Sequence, residues 1–513
     1  MKLTNLDGER PLPDGWQWTT IGGITQPIEK VKPQDEPEKE FTYLDISGIN
    51  NKRNVIAEPK VYYGVDAPSR ARQSVKAGDV LFSTVRTYLK NIAQVPELYD
   101  GQVASTGFSI LRGKERISNK YLFYFSLTDM FLTPLGELQR GSSYPAVRDS
   151  DVREQLIPLA PFPEQERIVA EIEKQFTRLD QAVASLKRLQ SNLARYKASV
   201  LKAACEGRLV PQDPNDEPAA DLLTRILGER RAQWEKQEWQ KLIVKAQKKA
   251  AQAERKKQGL PARVKDLQPG EWEAIAEADY AHYLPKGDKW QEKYKEPSGV
   301  ETAVLPDLPE GWVWVSMDGL SDIVSGVAKG RKFKDQETVH LPYLRVANVQ
   351  QGYLDLSQIK KIEARPDELE KYRLQENDLL LTEGGDWDKL GRSAIWKGQV
   401  PDCIHQNHIF RARPWHPDLS TVWLMYVTNS EHGRKYFANS SKQTTNLASI
   451  NLTQLRACPV PLPSKSEMDR IINEVERRLS VAAATEQAIT ANLARAERLR
   501  QSILGRAFSG QLV

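Results

Sequence analysis

Hydrophobic positions recur along this chain in two long helical stripes. From Pro163 onward, Ile168, Ile172, Phe176, Leu179, Val183, Leu186, Leu189, Leu193, Tyr196 and Val200 stand three or four residues apart, which is the period of one helix face. No Pro or Gly interrupts residues 164–206, and Gly207 stands where a helix C-cap glycine belongs. Ile472, Val475, Leu479, Ala482, Ile489, Leu493, Ala496 and Ile503 repeat the stripe near the other end of the chain. About forty residues at ~1.5 Å each make a rod ~60 Å long. A stripe on a lone rod stays wet, so the two helices are expected to pair as an antiparallel coiled coil. The alternative is that each packs on its own globular domain. Ahead of each stripe the apolar runs are short and bounded by Gly, Asn and Asp, as in FTYLDISGIN (41–50) and VKAGDVLFST (75–84), or LPYLRVANVQ (341–350) and LQENDLLLTE (374–383). These read as strands and turns of compact mixed domains, so the fold class is α+β.

The pattern is written twice. LPDGWQW at Leu12–Trp18 returns as LPEGWVW at Leu308–Trp314, and IPL at Ile157–Leu159 as VPL at Val460–Leu462. RYKASVLKAACEGRLV (195–210) aligns without gaps on RLRQSILGRAFSGQLV (498–513). The chain is therefore a tandem repeat, 12–210 and 308–513, with an insert at 211–307. A repeat that folds back on itself mimics a two-fold dimer, and such dimers suit duplex half-sites spaced by a helical turn of ~34 Å. The divergent middles on a shared frame are what two binding domains tuned to two different ligands would show.

Composition narrows the class. The 513 residues are 40% hydrophobic and 27% charged, enough apolar matter for several cores. No run approaches the ~18 apolar residues of a membrane span, and MKLTNLDGERPLP lacks an apolar signal core, so a cytoplasmic protein without a membrane partner is expected. Three cysteines, Cys205, Cys403 and Cys458, have no paired spacing, which fits a reducing compartment. A net charge of +5 permits nucleic-acid binding, subject to where the charge sits. The insert opens on the turn-rich PQDPNDEP (211–218). It continues into a charged helical stretch, Arg230–Lys257, with ten basic against three acidic residues and Trp234 and Trp239 embedded. That stretch reads either as a contact for DNA phosphates or an acidic partner, or as a solvated helix with two Trp anchors.

Catalytic constellations are missing. There is no GxxxxGK[ST] loop, no GxGxxG after a strand and no Asn-Pro-Pro-aromatic segment. Cys403, His405 and His408 have ligand chemistry but no fourth partner at a usual spacing, so no metal and no catalytic residue is assigned. What remains are basic and amide-rich loops at comparable places in the two copies. The candidates for DNA contact are Lys52, Arg53, Arg86, Lys90, Arg140 and Ser142 in the first, and Lys329, Arg331, Lys332, Lys389, Arg392 and Gln443 in the second. Lys and Arg neutralise phosphates; Arg, Gln and Asn read base edges. Taken singly each loop is also a plausible solvated turn.

Two LPxGWxW copies, a variable stretch after each, and long helices ending in GRLV or GQLV resemble the specificity subunit of Type I restriction–modification systems. PLAPFPEQERIV (158–169) and GRLVPQDPNDEPAADLL (207–223) are especially family-like, whereas PLPSKSEMDRII (461–472) departs from the PEQERIV pattern. The resemblance implies target-recognition domains at 1–160 and 308–463, long helices at 161–210 and 464–513, and a charged insert at 211–307. It implies that each domain reads one half of a bipartite asymmetric site on double-stranded DNA, with the helices setting the separation. The chain itself would be non-catalytic and hold no cofactor. It would bind two modification subunits, which carry S-adenosylmethionine, and through them two restriction subunits, with ATP and Mg also on the partners. The competing reading is a sequence-tolerant architectural DNA-binding protein.

Overall fold

A computed structural model of the chain describes residues 11–333, 337–385, 390–443 and 448–513. It divides into two compact units. One comprises residues up to Ser191 together with Glu486–Val513, and the other Asn192–Thr485. The two long helices, Phe162–Cys205 and Lys465–Ala507, each begin in one unit and end in the other.

The first unit is built from the outer ends of the sequence. Strand Gln17–Thr20 pairs antiparallel with Leu156–Leu159, Trp18 facing Pro158. One sheet carries the order 60–63, 40–44, 103–105, 71–74, with Tyr43 and Val103 in its single parallel pair. A second joins 108–111, 80–83 and 92–94. Helices Asn119–Ser126 and Asp129–Glu137, each capped by a hydroxyl (Ser118, Thr128), cover the frame. Ile168, Ile172 and Phe176 at the start of the first long helix share a core with Ile503, Leu504, Ala507 and Phe508 at the end of the second. Tyr121 and Phe125 meet the Phe508 ring at 4.8 and 5.2 Å, and Arg500 lies over the Phe176 ring while pairing with Asp180.

The second unit repeats the plan. Val313–Ser316 pairs with Pro459–Leu462, Trp314 facing Pro461. Tyr343 and Ile404 form the parallel pair of one sheet, and a second runs 321–325, 409–414, 379–382, 393–395. Val200, Ala204 and Cys205, ending the first long helix, share a core with Met468, Ile471, Ile472 and Val475, starting the second. In each unit the start of one helix thus lies with the end of the other, so the fold is α+β with two mixed domains and an antiparallel helix pair. The stripe is well buried where a globular core adds to the pair. Between those ends Leu189 and Tyr196 stay 45% and 41% exposed.

The structure explains the two repeat signatures as the halves of one joint. Gly207 ends the first long helix at φ +64, with Arg208 N–H bonded to Ala203 O at 2.9 Å. Its Cα faces Pro309 so closely that a Cβ would lie 2.3 Å from Pro309 Cγ. Gly510, at φ +70, faces Pro13 in the same way, a Cβ there lying 2.1 Å from Pro13 Cγ. The Gly at the end of each copy therefore seats on the Leu-Pro-x-Gly-Trp of the other copy. Leu209 packs in the core that holds Trp312, and Leu512 against the one that holds Trp16.

The insert forms an arm on the second unit. Helix Ala219–Lys257 plants Ala219, Leu222 and Ile226 in the core, and Arg230 pairs with Asp318. Beyond that point it packs on its own returning segment. Trp234 stacks on Trp290, Trp239 meets the same ring at 5.3 Å, Lys248 covers Trp272 and Arg255 pairs with Glu271. Both embedded tryptophans are thus anchors. Among the described residues no helix is long and apolar enough to cross a membrane.

Candidate nucleic-acid interface

In the first unit three polar loops converge. A hairpin of Ile49–Asn50 with Val55–Ile56 turns because Asn50 Oδ1 accepts the backbone N–H of Lys52 and of Arg53, each at 3.1 Å. Lys52 and Arg53 are exposed at its tip. The hairpin is tied to the next loop by Asn51, which donates to Leu89 O at 2.8 Å, and Asn54, which donates to Lys90 O and Ile92 O. That loop is a short turn, Thr87–Leu89, between two left-handed residues, Arg86 at φ 49 and Lys90 at φ 54. Such conformations cost about 1–2 kcal/mol per non-glycine residue, and they persist where the surroundings over-determine them. Here Arg86 N–H bonds Pro145 O at 2.7 Å and the Gln139 amide donates to the Thr87 hydroxyl. The turn holds Tyr88 outward, 61% exposed.

The third loop, Arg140–Ala146, closes on Arg86. The guanidinium donates to Ser143 O at 3.0 Å and lies 4.6 Å from the Tyr144 ring centroid, while its Nε is buried without an acceptor among the described residues. Ser142 is exposed beside it. Arg140 is engaged by Asp151 at 2.9 Å. Burial alone would raise that carboxyl, but the Arg148 backbone N–H and Arg140 hold it below the usual range. Lys90 lies 3.6 Å from the exposed Asp129.

The second unit assembles a counterpart from different letters. Arg392 Nη1 donates to Gln350 Oε1 at 2.7 Å, and Gly352 N–H to Ser393 O at 2.9 Å, so the 350–353 turn stands where the Asn50 hairpin stands in the first copy. Tyr353 is 62% exposed there. Gly384–Gly385 pairs with Ala448–Ser449, which pairs with Lys442–Gln443, bringing the two remaining loops together. Of the sequence candidates, Gln443 is described only through this pairing and Lys389 lies outside the described residues. Lys329 and Lys332 are exposed, on a loop anchored to helix Pro366–Tyr372 through Arg331–Glu368. Burial alone would raise Glu368, but Arg331 and the Arg365 backbone N–H hold it low, so the Arg331 charge is spoken for.

The structure thus places the Arg86 loop, which carries Tyr88, and the Arg392 loop in these clusters, and sets beside them Gln350, Tyr353 and Tyr144, which were not among the sequence candidates. The signal for Gln350 was present: FTYLDISGIN and LPYLRVANVQ end on Asn50 and Gln350. Cys403, His405 and His408 do not converge. The Cys403 thiol is pushed up to about 12 by burial, His405 donates from Nδ1 to Ile409 O at 2.9 Å, and His408 pairs with Glu383. Among the described residues no cluster of His, Cys, Asp and Glu could hold a metal. What both loop clusters offer is cationic and amide donors beside exposed aromatic faces, the chemistry that grips phosphate, reads base edges and stacks on bases.

No family model matches the chain. The EcoAI specificity subunit of the Type I restriction enzymes, from Escherichia coli, is 24% identical over 91% of this chain and 78% of its own length. The EcoEI specificity subunit, also from Escherichia coli, is 20% identical over 92% and 79%. The EcoKI specificity subunit of Escherichia coli K12 is 29% identical over 37% of this chain and 41% of its own. The HsdS subunit of Thermoanaerobacter tengcongensis, a crystal structure, is 25% identical and superposes with a TM-score of 0.57 over 98% of this chain and 99% of that one. A chain from a structure of complex assembly and conformational transition in the type I R-M system reaches a TM-score of 0.66 at 25% identity, over 98% of this chain and all of that one.

Proposed function

We infer the working of this protein from its kinship: in sequence and fold it is a specificity subunit of a Type I restriction–modification system, and its role is DNA sequence recognition. It works with the other subunits of such a system and with DNA. One observation carries the finer reading. The same three-loop cluster is built twice, on one repeated frame, from different side chains: Asn51, Asn54, Arg86 and Tyr144 in one unit, Gln350, Arg392 and the strands beside them in the other. Each cluster reads one half of a bipartite site on double-stranded DNA, and because the letters differ the half-sites differ. Lys52, Arg53, Arg86, Lys90, Ser142, Lys329, Lys332, Lys389, Arg392 and Gln443 supply contacts, with Arg140 and Arg331 bracing their loops.

The working boundaries are 1–160 and 308–463 for the recognition domains, 161–210 and 464–513 for the helices and 211–307 for the insert. Two modification subunits carry S-adenosylmethionine, and two restriction subunits carry ATP and Mg; the chain contributes recognition and no catalytic group. The test is methylome sequencing of cells with and without this chain beside its modification partner. One bipartite motif is expected, and exchanging residues 15–155 for those of a relative should change one half of it only. Methylation without a bipartite motif, or a swap that alters both halves, refutes the reading. Similar affinity for unrelated duplexes would favour an architectural protein.

A further inference from the structure

The insert arm carries a surface that neither recognition cluster uses. Along its outer stretch runs an open groove of about 740 Å³ lined by Gln237, Gln240, Lys241, Val244, Lys245, Lys248, Lys249, Gln252 and Val264. No carboxylate lines it. Lys241, Lys245 and Lys249 stand four residues apart on the helix, at steps of ~6 Å on one face, and all three are exposed. Lys241 has only a neighbour pair with Glu238 at 3.3 Å, while Lys245 and Lys249 form no ion pair among the described residues. The helix is anchored along this stretch by its buried Ala246, Ala250 and Ala251. On the groove face itself two side chains are already engaged by the returning segment: Lys248 lies 4.3 Å from the Trp272 ring centroid and Gln252 donates to Ala262 O at 2.7 Å, which leaves Lys241, Lys245 and Lys249 as the outward cations.

The chemistry of the groove selects its occupant. Three exposed ammonium groups stand along it on methylene stems and no carboxylate faces them, so it takes an anion. An acidic helix from a protein partner would need apolar or aromatic anchor pockets at helical spacing, and no aromatic ring lines the groove, whose branched apolar side chains are the half-buried Val244 and the exposed Val264. A sugar–phosphate backbone needs only spaced cations. From Ile226, the last residue planted in the core, to Gln252 the helix advances ~39 Å, more than one turn of duplex.

We propose that the arm is a third DNA contact, a sequence-independent phosphate clamp formed by Lys241, Lys245 and Lys249. It rests on the reading of the chain as a DNA-recognition subunit and adds affinity without adding sequence information. The test uses the full chain carrying Lys241→Gln, Lys245→Gln and Lys249→Gln together, with Lys245→Gln alone as the milder variant. Binding to a target duplex and to an arbitrary duplex is measured from 50 to 300 mM salt. Each lost phosphate contact should lower the slope of log K against log salt by about 0.9, hence by about 3 for the triple and about 1 for the single variant. The ratio of target to arbitrary affinity should hold, and Lys→Arg at the three sites should restore the slope. A triple variant that folds with the wild-type slope overturns the clamp. A wild-type slope combined with lost capture of the modification subunit overturns it too, in favour of an acidic protein partner. If wild-type chain fails to discriminate any duplex, the recognition reading falls; if it discriminates while the slope is unmoved, only the clamp falls.

Discussion

The two mixed domains share a frame down to one buried ion pair, yet differ in the layer just beneath their loops. Asp79 and Asp378 are both fully buried, and each is gripped by two nitrogens of an arginine on the neighbouring strand. Arg112 holds Asp79 at 2.8 and 2.6 Å, and Arg413 holds Asp378 at 2.6 and 2.8 Å. Around that shared pin the interiors diverge. Ile110 faces Leu81 in the first domain, and Arg411 faces Leu380 in the second, buried and paired with Asp322. Ala104 faces Leu44 in the first, whereas His405 faces Leu344 in the second, fully buried with Nε2 unpartnered. One domain thus has an apolar second layer and its sibling a polar one. A change of loop specificity carried through to the interior would leave this signature, because a loop's geometry is set by what it rests on.

The sharpest way to test the shared part is to break the pin. Asp79→Ala and Asp378→Ala each leave a partly buried guanidinium without its partner, and each should cost about 3–5 kcal/mol. Hydrogen exchange should place each loss in the unit that carries the variant. Equal, global loosening from either variant would show that the domains are not independent.

On the loop side, Arg86→Ala and Arg392→Ala should each relax discrimination by about 1–3 kcal/mol, in one half-site apiece. Competition binding with half-site mismatches reads this directly.

The polar interior of the second domain predicts an acid weakness that the first lacks. Burial, with the Arg411 and Arg413 charges, lowers His405 to about 4 from its ordinary value of 6.5, so the native state keeps it neutral. Its contribution to stability is intact above pH 6.5 and is lost as pH falls toward 4, because the unfolded chain takes up the proton first. At pH 5 the loss is about 2 kcal/mol. Denaturant melts at pH 7 and 5 should show it in the second unit, and His405→Ala, which installs the first domain's residue, should flatten the dependence.

The joints test the likeness of the two copies. Gly207→Ala and Gly510→Ala force a left-handed alanine, at about 1–2 kcal/mol, and drive its Cβ into a proline ring, at about 1–3 kcal/mol more. Thermal melts of the two variants should shift by similar amounts, since the joints are built alike.

Much of this plan was legible from residues alone. The repeat, both long helices and the Gly207 cap follow from spacing, because a helix stripe and a C-cap are local. The Asp–Arg pins were not legible. Asp79 sits in AGDV and Asp378 in ENDL, which read as turns, and Arg112 and Arg413 stand at strand ends that read as surface. Only closure of the sheet buries them. The loop clusters were half legible: Arg86 and Arg392 announced themselves by charge, while Gln350 and the exposed tyrosines gain their meaning from three distant segments meeting. Cys403, His405 and His408 show why ligand chemistry in a short run was given no metal: spacing along a strand says nothing about which face each side chain takes.

The joints also dictate when the protein finishes folding. The core of the first unit needs Ile503, Leu504, Ala507 and Phe508, and Gly510 must reach Pro13 to close it. At ~5–20 residues per second, a ribosome that has completed the first unit's stretch up to Ser191 spends roughly 15–60 seconds more before those residues are made. Throughout that interval Tyr121 and Phe125 lack the ring that covers them. The second unit closes its own joint as soon as Pro309 follows Gly207 and the second long helix begins. The domain translated first is therefore the one completed last, and its uncovered aromatic face is the place where a nascent chain would call on a chaperone.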